Sequence, residues 1–177
     1  MKKLVFKSSV ILLLLALTLG LYIYYQIFSS LTKSDQIILV PTGTSYSELK
    51  DTLISNNLLN NEVVFDLFCL KKNYKTIYPG RYLVNSHTDL NSLVNMLRLG
   101  AQKPLNIIFN NTSTIYDLAG KLSYQIEADS LDLLDAFRNE LFYSTYDFNE
   151  ASIRKLFIPN TYEVYWTITP LEFLERM

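Results

Sequence analysis

Hydrophobic residues in this chain form one long continuous run near the N-terminus and then a series of shorter periodic segments. The run extends from about Val10 to Phe28 and follows Lys2, Lys3 and Lys7. Roughly 19 residues at 1.5 Å each come close to spanning the hydrocarbon layer of a bilayer. Lysines on the N-terminal side place residues 1–9 in the cytoplasm and the rest of the chain outside. The pattern therefore predicts a single transmembrane helix over residues 10–28.

A cleaved signal peptide is the alternative to this anchor. Its apolar region would be shorter, and small residues would occupy its cleavage positions. No Ala-x-Ala pattern follows the run, which ends with Tyr22, Tyr24 and Tyr25. Tyrosines at that place are typical of an interfacial aromatic belt. We therefore favour an uncleaved anchor, joined to the rest of the chain by a short polar linker over residues 29–36.

The first periodic segments predict a strand, two helices and a second strand. The strands are expected at Ile37–Val40 and Gly80–Val84. Ser45 caps the first helix with Glu48 at the capping-box position, and Asn61 opens the second helix. The inward faces of the two helices are expected to contain Leu49, Leu53, Ile54, Val64, Phe65, Phe68 and Cys69. This β-α-α-β order is that of a LysM-like module, a fold that binds amino-sugar polymers, and we assign it to residues 37–103.

The following segments repeat the opening of this module. A helix at about Asp89–Leu99 closes at Gly100, a left-handed cap, and buries one face. A strand is then expected at Leu105–Phe109, a polar helix start at Thr112–Thr114 and a further helix at Ser130–Asn139. The apolar positions of these three helices are Leu90, Leu93, Val94, Leu97, Ile115, Leu118, Ala119, Leu122, Leu131, Leu133, Leu134 and Phe137. The predicted fold class is therefore α+β, with residues 104–177 forming the start of a second α+β domain.

Composition excludes several classes of function. The chain has 16 basic and 17 acidic residues and no basic patch with interleaved aromatics, so a nucleic-acid partner is not expected. Its five glycines are scattered and form no phosphate-binding loop. Cys69 is the only cysteine, and we expect a buried structural thiol rather than a nucleophile or zinc ligand. His87 is the only histidine and falls in a polar turn. We expect neither a metal site nor a cofactor.

The segment Leu156–Trp166 has the strongest chemical signature. It contains the only tryptophan and two tyrosines, with Glu, Asn and Thr around a Pro. A pyranose presents both C–H faces and hydroxyl groups, so aromatic faces beside short polar groups are typical of a sugar-binding groove. The candidate substrate-binding residues are Asn160, Thr161, Tyr162, Glu163 and Trp166. A strand and turn at the edge of a core is the structural alternative.

The role of Glu163 is left open by its position. In an extended segment Glu163 and Tyr165 point to one side while Tyr162 and Val164 point to the other. Among these aromatics Glu163 could serve as an acid, line the groove or lie in solvent at a sheet edge. A second acidic group is predicted to be a helix start with a solvated face, and its members are Glu127, Asp129, Asp132 and Asp135.

The end of the chain predicts the start of one more helix. Thr169 is in the N-cap position, Pro170 is the first helical residue and Glu172 completes a capping box. Only about two turns follow, which is too short for a stable isolated helix. We therefore expect this chain to be a fragment of a longer protein.

Three segments resemble one known family. Leu156–Trp166 with its Pro-Asn-Thr-Tyr run, Pro79–Val84 and Leu93–Gly100 are similar to the endolytic murein transglycosylases, the MltG or YceG-like family. The catalytic Glu of that family lies in a helix reading roughly Ala-Ser-Ile-Val-Glu. Ala151-Ser-Ile153 is followed by Arg154 instead, so the catalytic residue is unknown in this chain and is expected beyond Met177.

The resemblance implies a membrane-anchored lytic transglycosylase that cleaves nascent peptidoglycan glycan strands to 1,6-anhydro-muramic ends. One Glu suffices for this chemistry, because the substrate's own C6 hydroxyl attacks. It implies a single-pass protein of the bacterial cytoplasmic membrane with its main domain outside, and it makes cell-wall synthases candidate partners. Two alternatives stay open: a non-catalytic peptidoglycan-binding module, and a bitopic assembly protein of the division or secretion machinery.

Overall fold

The computed structural model describes residues 2–108, 114–149, 152–157 and 160–177. Its helices are α1 (Lys2–Phe28), α2 (Tyr46–Ser55), α3 (Glu62–Lys71), α4 (Leu90–Leu99), α5 (Ile115–Ser123), α6 (Ser130–Phe137), α7 (Glu140–Tyr146) and α8 (Pro170–Arg176), with a 3-10 helix at Ile153–Leu156. Its strands are β1 (Gln36–Val40), β2 (Gly80–Val84), β3 (Leu105–Ile108) and β4 (Thr161–Val164). The strands form two pairs, β1 with β2 and β3 with β4. Helices mixed with short strand pairs agree with the α+β class.

The first helix is apolar along most of its length. Its segment Ser9–Phe28 has a mean hydropathy of 2.1 and no buried share. It is therefore long and apolar enough to cross a membrane, a property that a signal sequence near an N-terminus shares. In the part of the chain that the structure describes, it is the one helix with this property.

The chain divides into two compact units. The first contains residues up to 38, 44–78 and 83–101, and the second contains residues 39–43, 79–82 and 102–177. Each strand of the β1–β2 pair contributes residues to both units. The two units are therefore built from interleaved segments of the sequence and are not separated at one position.

The first unit packs α2, α3 and α4 around an apolar core. Every predicted apolar position of α4 is buried, as are Leu49, Leu53, Phe65, Phe68 and Cys69. The prediction for Ile54 was wrong, since its side chain is 37% exposed. Leu58 is buried instead, because the chain turns back on the core just after α2. Val64 is only half-buried.

The caps of these helices follow the sequence closely. Ser45 and Glu48 form the predicted capping box, and the Asn61 side chain accepts a hydrogen bond from the Val64 N–H at 3.1 Å. Gly100 ends α4 at φ 62°, as predicted. Asn73 adopts the same left-handed conformation after α3, at φ 53°. In both places the next residue donates its N–H five residues back, which completes the Schellman pattern.

Residues 29–36, predicted as a linker, are held against the first unit. Leu31 is buried, and its N–H donates to the Thr88 carbonyl at 2.9 Å. The Asp35 carboxylate accepts a hydrogen bond from the Ser86 N–H at 2.9 Å. The segment that follows α1 is therefore bound to the first unit at two points, Leu31 and Asp35.

The second unit has its own core, made by α5, α6, α8 and the inner face of the β3–β4 pair. The predicted stripe of α5 is buried throughout. The helix expected at Ser130–Asn139 ends at Phe137, and Asn139 caps α7, which the pattern did not predict. Leu131 is 68% exposed, so its assignment to the apolar face was wrong. Phe109 and Thr112 lie outside the described residues.

Candidate functional site

The Pro-Asn-Thr-Tyr segment leads into β4. Its Ile158 and Pro159 lie outside the described residues. Asn160 and Thr161 are exposed, and the Asn160 Oδ1 accepts a hydrogen bond from the Thr161 N–H at 2.8 Å. This bond fixes the backbone at the point where the strand begins. The short polar residues therefore shape the entry to β4 and present their remaining polar atoms to solvent.

Strand pairing sorts the residues of β4 onto two faces. The antiparallel register pairs Leu105 with Val164, Asn106 with Glu163, Ile107 with Tyr162 and Ile108 with Thr161. Val164 and Ile107 are buried, whereas Glu163 and Thr161 are exposed. Because residues that face each other in an antiparallel pair share one face, Glu163 and Asn106 lie side by side in solvent. The predicted alternation along this segment is therefore present.

The two aromatic candidates are each partly buried. Tyr162 is half-buried and packs against the core of the second unit. Trp166 is also half-buried, and its carbonyl accepts a hydrogen bond from the Glu127 N–H at 2.8 Å. Trp166 lies just after β4, in the turn that leads to α8. Neither side chain lines the clefts described below.

Glu127 is not the solvated residue that its acidic neighbours suggested. Its carboxylate accepts hydrogen bonds from the Thr42 N–H and, at 2.7 Å, from the Thr42 hydroxyl. Its N–H donates to Trp166. Glu127 therefore connects the turn after β1 to the turn after β4. Asp129 does cap α6, as predicted for a helix start.

Two adjoining clefts lie beside β4 and α8, and we call them the β4–α8 clefts. The larger, about 470 Å³, is lined by Tyr165, Thr167, Ile168, Glu172 and Arg176. The smaller, about 320 Å³, is lined by Pro104, Glu163, Val164, Tyr165 and Arg176. Tyr165 and Arg176 belong to both clefts, so the two form one continuous concave surface.

The polar side chains of this surface differ in their hydrogen bonds and in their exposure. Glu172 is the capping-box residue of α8, and its carboxylate accepts hydrogen bonds from the Thr169 N–H at 3.0 Å and hydroxyl at 2.7 Å. These bonds lower the pKa of Glu172, so it stays ionised. Arg176 lies one turn further along the same helix. Glu163 is exposed on the strand opposite Asn106.

Of the five predicted binding residues, Glu163 lines the β4–α8 clefts directly. Asn160 and Thr161 lie at the exposed start of the same strand, Tyr162 packs against the core of the second unit, and Trp166 is half-buried. Sequence reasoning placed Tyr165 on the Glu163 side without assigning it a role. The i, i+4 spacing of Glu172 and Arg176 was a further signal, since it puts both on one helix face.

This arrangement suits a polar polymer with apolar faces. Tyr165 is 52% exposed and offers an aromatic surface. Glu163 and Glu172 accept hydrogen bonds, and the Arg176 guanidinium can bind a carboxylate or a hydroxyl. Among the described residues, no group of three His, Cys, Asp or Glu side chains could hold a metal ion.

A separate pocket of about 400 Å³ lies in the first unit. It is lined by Tyr46, Asp66, Cys69, Leu70, Tyr74 and Lys75. The Tyr46 hydroxyl donates to Asp66 Oδ1 at 2.7 Å. Burial raises the pKa of the Cys69 thiol to about 11, so the thiol is protonated at neutral pH. Cys69 is 2% exposed, so the prediction of a buried thiol is confirmed.

Comparison with known proteins identifies the family of the chain. A crystal structure of a yceG-like protein from Listeria monocytogenes is similar over 82% of this chain, with 18% identity and a TM-score of 0.39. The chain covers 54% of that structure, so it spans about half its length. A search of curated proteins gives no match. The sequence profile of the YceG-like family matches residues 38–177. The chain therefore belongs to the YceG-like family.

Proposed function

We propose that this protein is part of a membrane-anchored lytic transglycosylase that cleaves nascent peptidoglycan strands. The observation that carries the proposal is the family match over residues 38–177, which includes the whole concave surface beside β4 and α8. Helix α1 serves as an uncleaved anchor with a cytoplasmic N-terminus. The two units then lie outside the cytoplasmic membrane, close to the site where new strands emerge and where synthases act.

In this proposal the β4–α8 clefts bind the glycan. Tyr165 packs against a pyranose face, and the exposed polar groups of Asn160, Thr161 and Glu163 bind hydroxyls along the strand. Arg176 binds an acidic group of the peptide stem. The β-α-α-β segment at residues 37–103 acts as a LysM-like module that holds a neighbouring part of the same polymer.

The cleavage step needs a carboxylic acid that is protonated when it meets the glycosidic oxygen. This acid also removes the proton from the C6 hydroxyl as that oxygen attacks the anomeric carbon, which gives the 1,6-anhydro product. Glu172 is poorly suited, because its capping bonds favour the ionised form. Glu163 is open to solvent on the outer face of β4, opposite Asn106, and is not enclosed by the protein. We therefore assign the acid to the family's Ala-Ser-Ile-Val-Glu helix, which has no counterpart in residues 1–177.

A non-catalytic peptidoglycan-binding module is the second candidate. The state of Glu172 and the exposure of Glu163 favour it, since neither carboxyl in the clefts has the environment of a general acid. This candidate keeps the anchor and the glycan-binding surface and omits the cleavage step.

The two candidates are separated by one assay on two proteins. Residues 1–177 and the product of the complete reading frame are each incubated in mild detergent with purified sacculi, and released muropeptides are analysed by mass spectrometry. We expect residues 1–177 to bind sacculi without cleavage and the complete product to release 1,6-anhydro-muropeptides. A reading frame that ends after Met177, with binding alone, would establish the second candidate.

Binding itself is tested by matched variants in the clefts. Tyr165→Ala should weaken sacculus binding several-fold, whereas Tyr124→Ala should not, because Tyr124 is 92% exposed and lies outside the clefts. Glu163→Gln is compared with Glu175→Gln, an exposed carboxyl on α8 that does not line them. If all four variants bind like the wild type, the β4–α8 clefts are not the glycan site.

A further inference from the structure

Helix α3 carries an apolar face that the protein leaves exposed. Val63 is 67% exposed, Leu67 is 61% exposed and Leu70 is 77% exposed. Their i, i+4, i+7 spacing puts all three side chains on one face of the helix. The opposite face of α3 is buried through Phe65, Phe68 and Cys69. Helix α3 is therefore apolar on two sides, of which the protein core covers one.

This exposed face continues directly into a groove beside α1. The groove, about 170 Å³, is lined by Ile23, Ile27, Val64, Leu67, Phe68 and Lys71. Leu67 thus belongs both to the exposed face and to the contact with α1. The apolar surface of α1 and that of α3 form one uninterrupted surface within the first unit.

The position of the contact along α1 sets its depth. Ile23 and Ile27 lie in the last two turns of the apolar segment Ser9–Phe28. At 1.5 Å per residue, this is within about 8 Å of the end of the span. Amphipathic helices that lie on membranes bury their apolar faces about 5–10 Å into the boundary between headgroups and acyl chains. Helix α3 contacts α1 within that range of depth.

Charges around α3 are distributed in a way that fits an anionic lipid surface. Lys71 lines the groove, Lys72 Nζ lies 5.4 Å from the centre of the Phe68 ring, and Lys75 follows the helix. The acidic residues of α3 are directed elsewhere. Glu62 and Asp66 form ion pairs with Lys50 of α2, at 3.5 and 3.2 Å. With Lys50, these three lysines make four cations against the two carboxylates, so the charged side chains around α3 carry a net charge of +2.

We propose that α3 lies in the headgroup region of the leaflet where α1 ends, with Val63, Leu67 and Leu70 in contact with acyl chains and the lysines in contact with anionic phospholipid headgroups. This inference rests on the membrane anchor of the proposed function. The hydrogen bonds from residues 29–36 to Ser86 and Thr88 hold the segment after α1 against the first unit. The first unit is then held flat against the bilayer and does not swing freely from its anchor.

The test places a reporter on each of two exposed leucines of the first unit. Leu67→Cys and the control Leu99→Cys are made in a Cys69→Ser background and labelled with a polarity-sensitive fluorophore. Leu99 is 67% exposed and ends α4, at the other end of that helix from the Ser30–Asp89 bridge beside α1. The full chain is reconstituted into phosphatidylcholine–phosphatidylglycerol vesicles with brominated acyl chains. Circular dichroism checks folding, and if the background does not fold, the buried native Cys69 is retained and labelling is done at neutral pH.

We expect the label at position 67 to emit at shorter wavelength and to be quenched several-fold more strongly than the label at position 99. Replacing Lys71, Lys72 and Lys75 together by Gln should reduce this quenching, and more so in phosphatidylglycerol vesicles than in phosphatidylcholine alone. Equal, weak quenching at both positions in protein that floats with the vesicles would overturn the inference while leaving the anchor intact. Protein that does not float would refute the anchor and the inference with it. Protection of position 67 without lipid quenching would point to a protein partner and would also overturn it.

Discussion

Helices α3 and α4 have the same length and pack in the same unit, yet they differ in how much of their apolar surface is exposed. All four apolar core positions of α4 are buried. In α3 three large apolar residues face outward with more than half of each side chain exposed. Helix α4 thus has the single apolar stripe of a helix on a protein surface. Helix α3 has a second stripe, which indicates that something other than the protein core covers it.

The largest expected effect contrasts the two helices directly. Leu93→Ala in α4 should lower the free energy of unfolding by about 2–5 kcal/mol, because the side chain is fully buried and leaves a cavity. Leu67→Ala in α3 should change it by less than about 0.5 kcal/mol in mild detergent, as expected for an exposed position. Urea unfolding followed by circular dichroism measures both. Equal losses would mean that the outer face of α3 packs against the protein.

A smaller effect is expected at the two left-handed helix ends. Gly100→Ala should cost about 1–2 kcal/mol, since alanine is strained at φ 62° and its Cβ would lie 3.1 Å from the Tyr78 ring. Gly100→Asn adds the same Cβ but tolerates the left-handed backbone, as Asn73 does after α3. Thermal unfolding of the two variants separates strain from contact. A loss as large for Asn as for Ala would assign the cost to Tyr78.

A third effect is a pH dependence that arises in α3. Burial raises the pKa of Cys69 from 9.0 to about 11, so the folded state holds the thiol proton more tightly than the unfolded state. Its contribution is fully present below pH 9 and is lost as the pH rises towards 11. The difference in stability between wild type and Cys69→Ala should therefore shrink over that window. A constant difference would show that the thiol is not buried.

Local signals in the sequence predicted the first unit well. Helices α2, α3 and α4 each have a cap residue next to their periodic apolar positions: Ser45, Asn61, Asp89 and Gly100. The cap and the apolar period then predict the same helix independently. The prediction for α3 covered only its inward residues and gave no role to its outward face. A period of hydrophobic residues shows that a face is apolar, but it does not show whether protein or lipid covers it.

The candidate site was predicted less well for a different reason. Its wall combines β4 with α8 and with Pro104 at the start of β3, and this proximity comes from tertiary packing. Alternation along the motif placed Glu163 and Tyr165 together. It could not place Arg176 beside them. Nor could it predict that the Trp166 carbonyl accepts a hydrogen bond from the Glu127 N–H.

The pairing of β3 with β4 also sets the order in which this molecule can be made. All of α5, α6 and α7 separate the two strands in the sequence, so their pairing closes a long loop and is expected late in folding. In the proposed topology residues 1–9 stay in the cytoplasm, and the segments after α1 reach the outside of the membrane in chain order. The α2–α4 unit can then fold while β4 is still being synthesised. A glycan-binding surface on β4 and α8 would form only after α5, α6 and α7 have been synthesised, when the chain is already fixed at the membrane where, in the proposed function, its substrate is made.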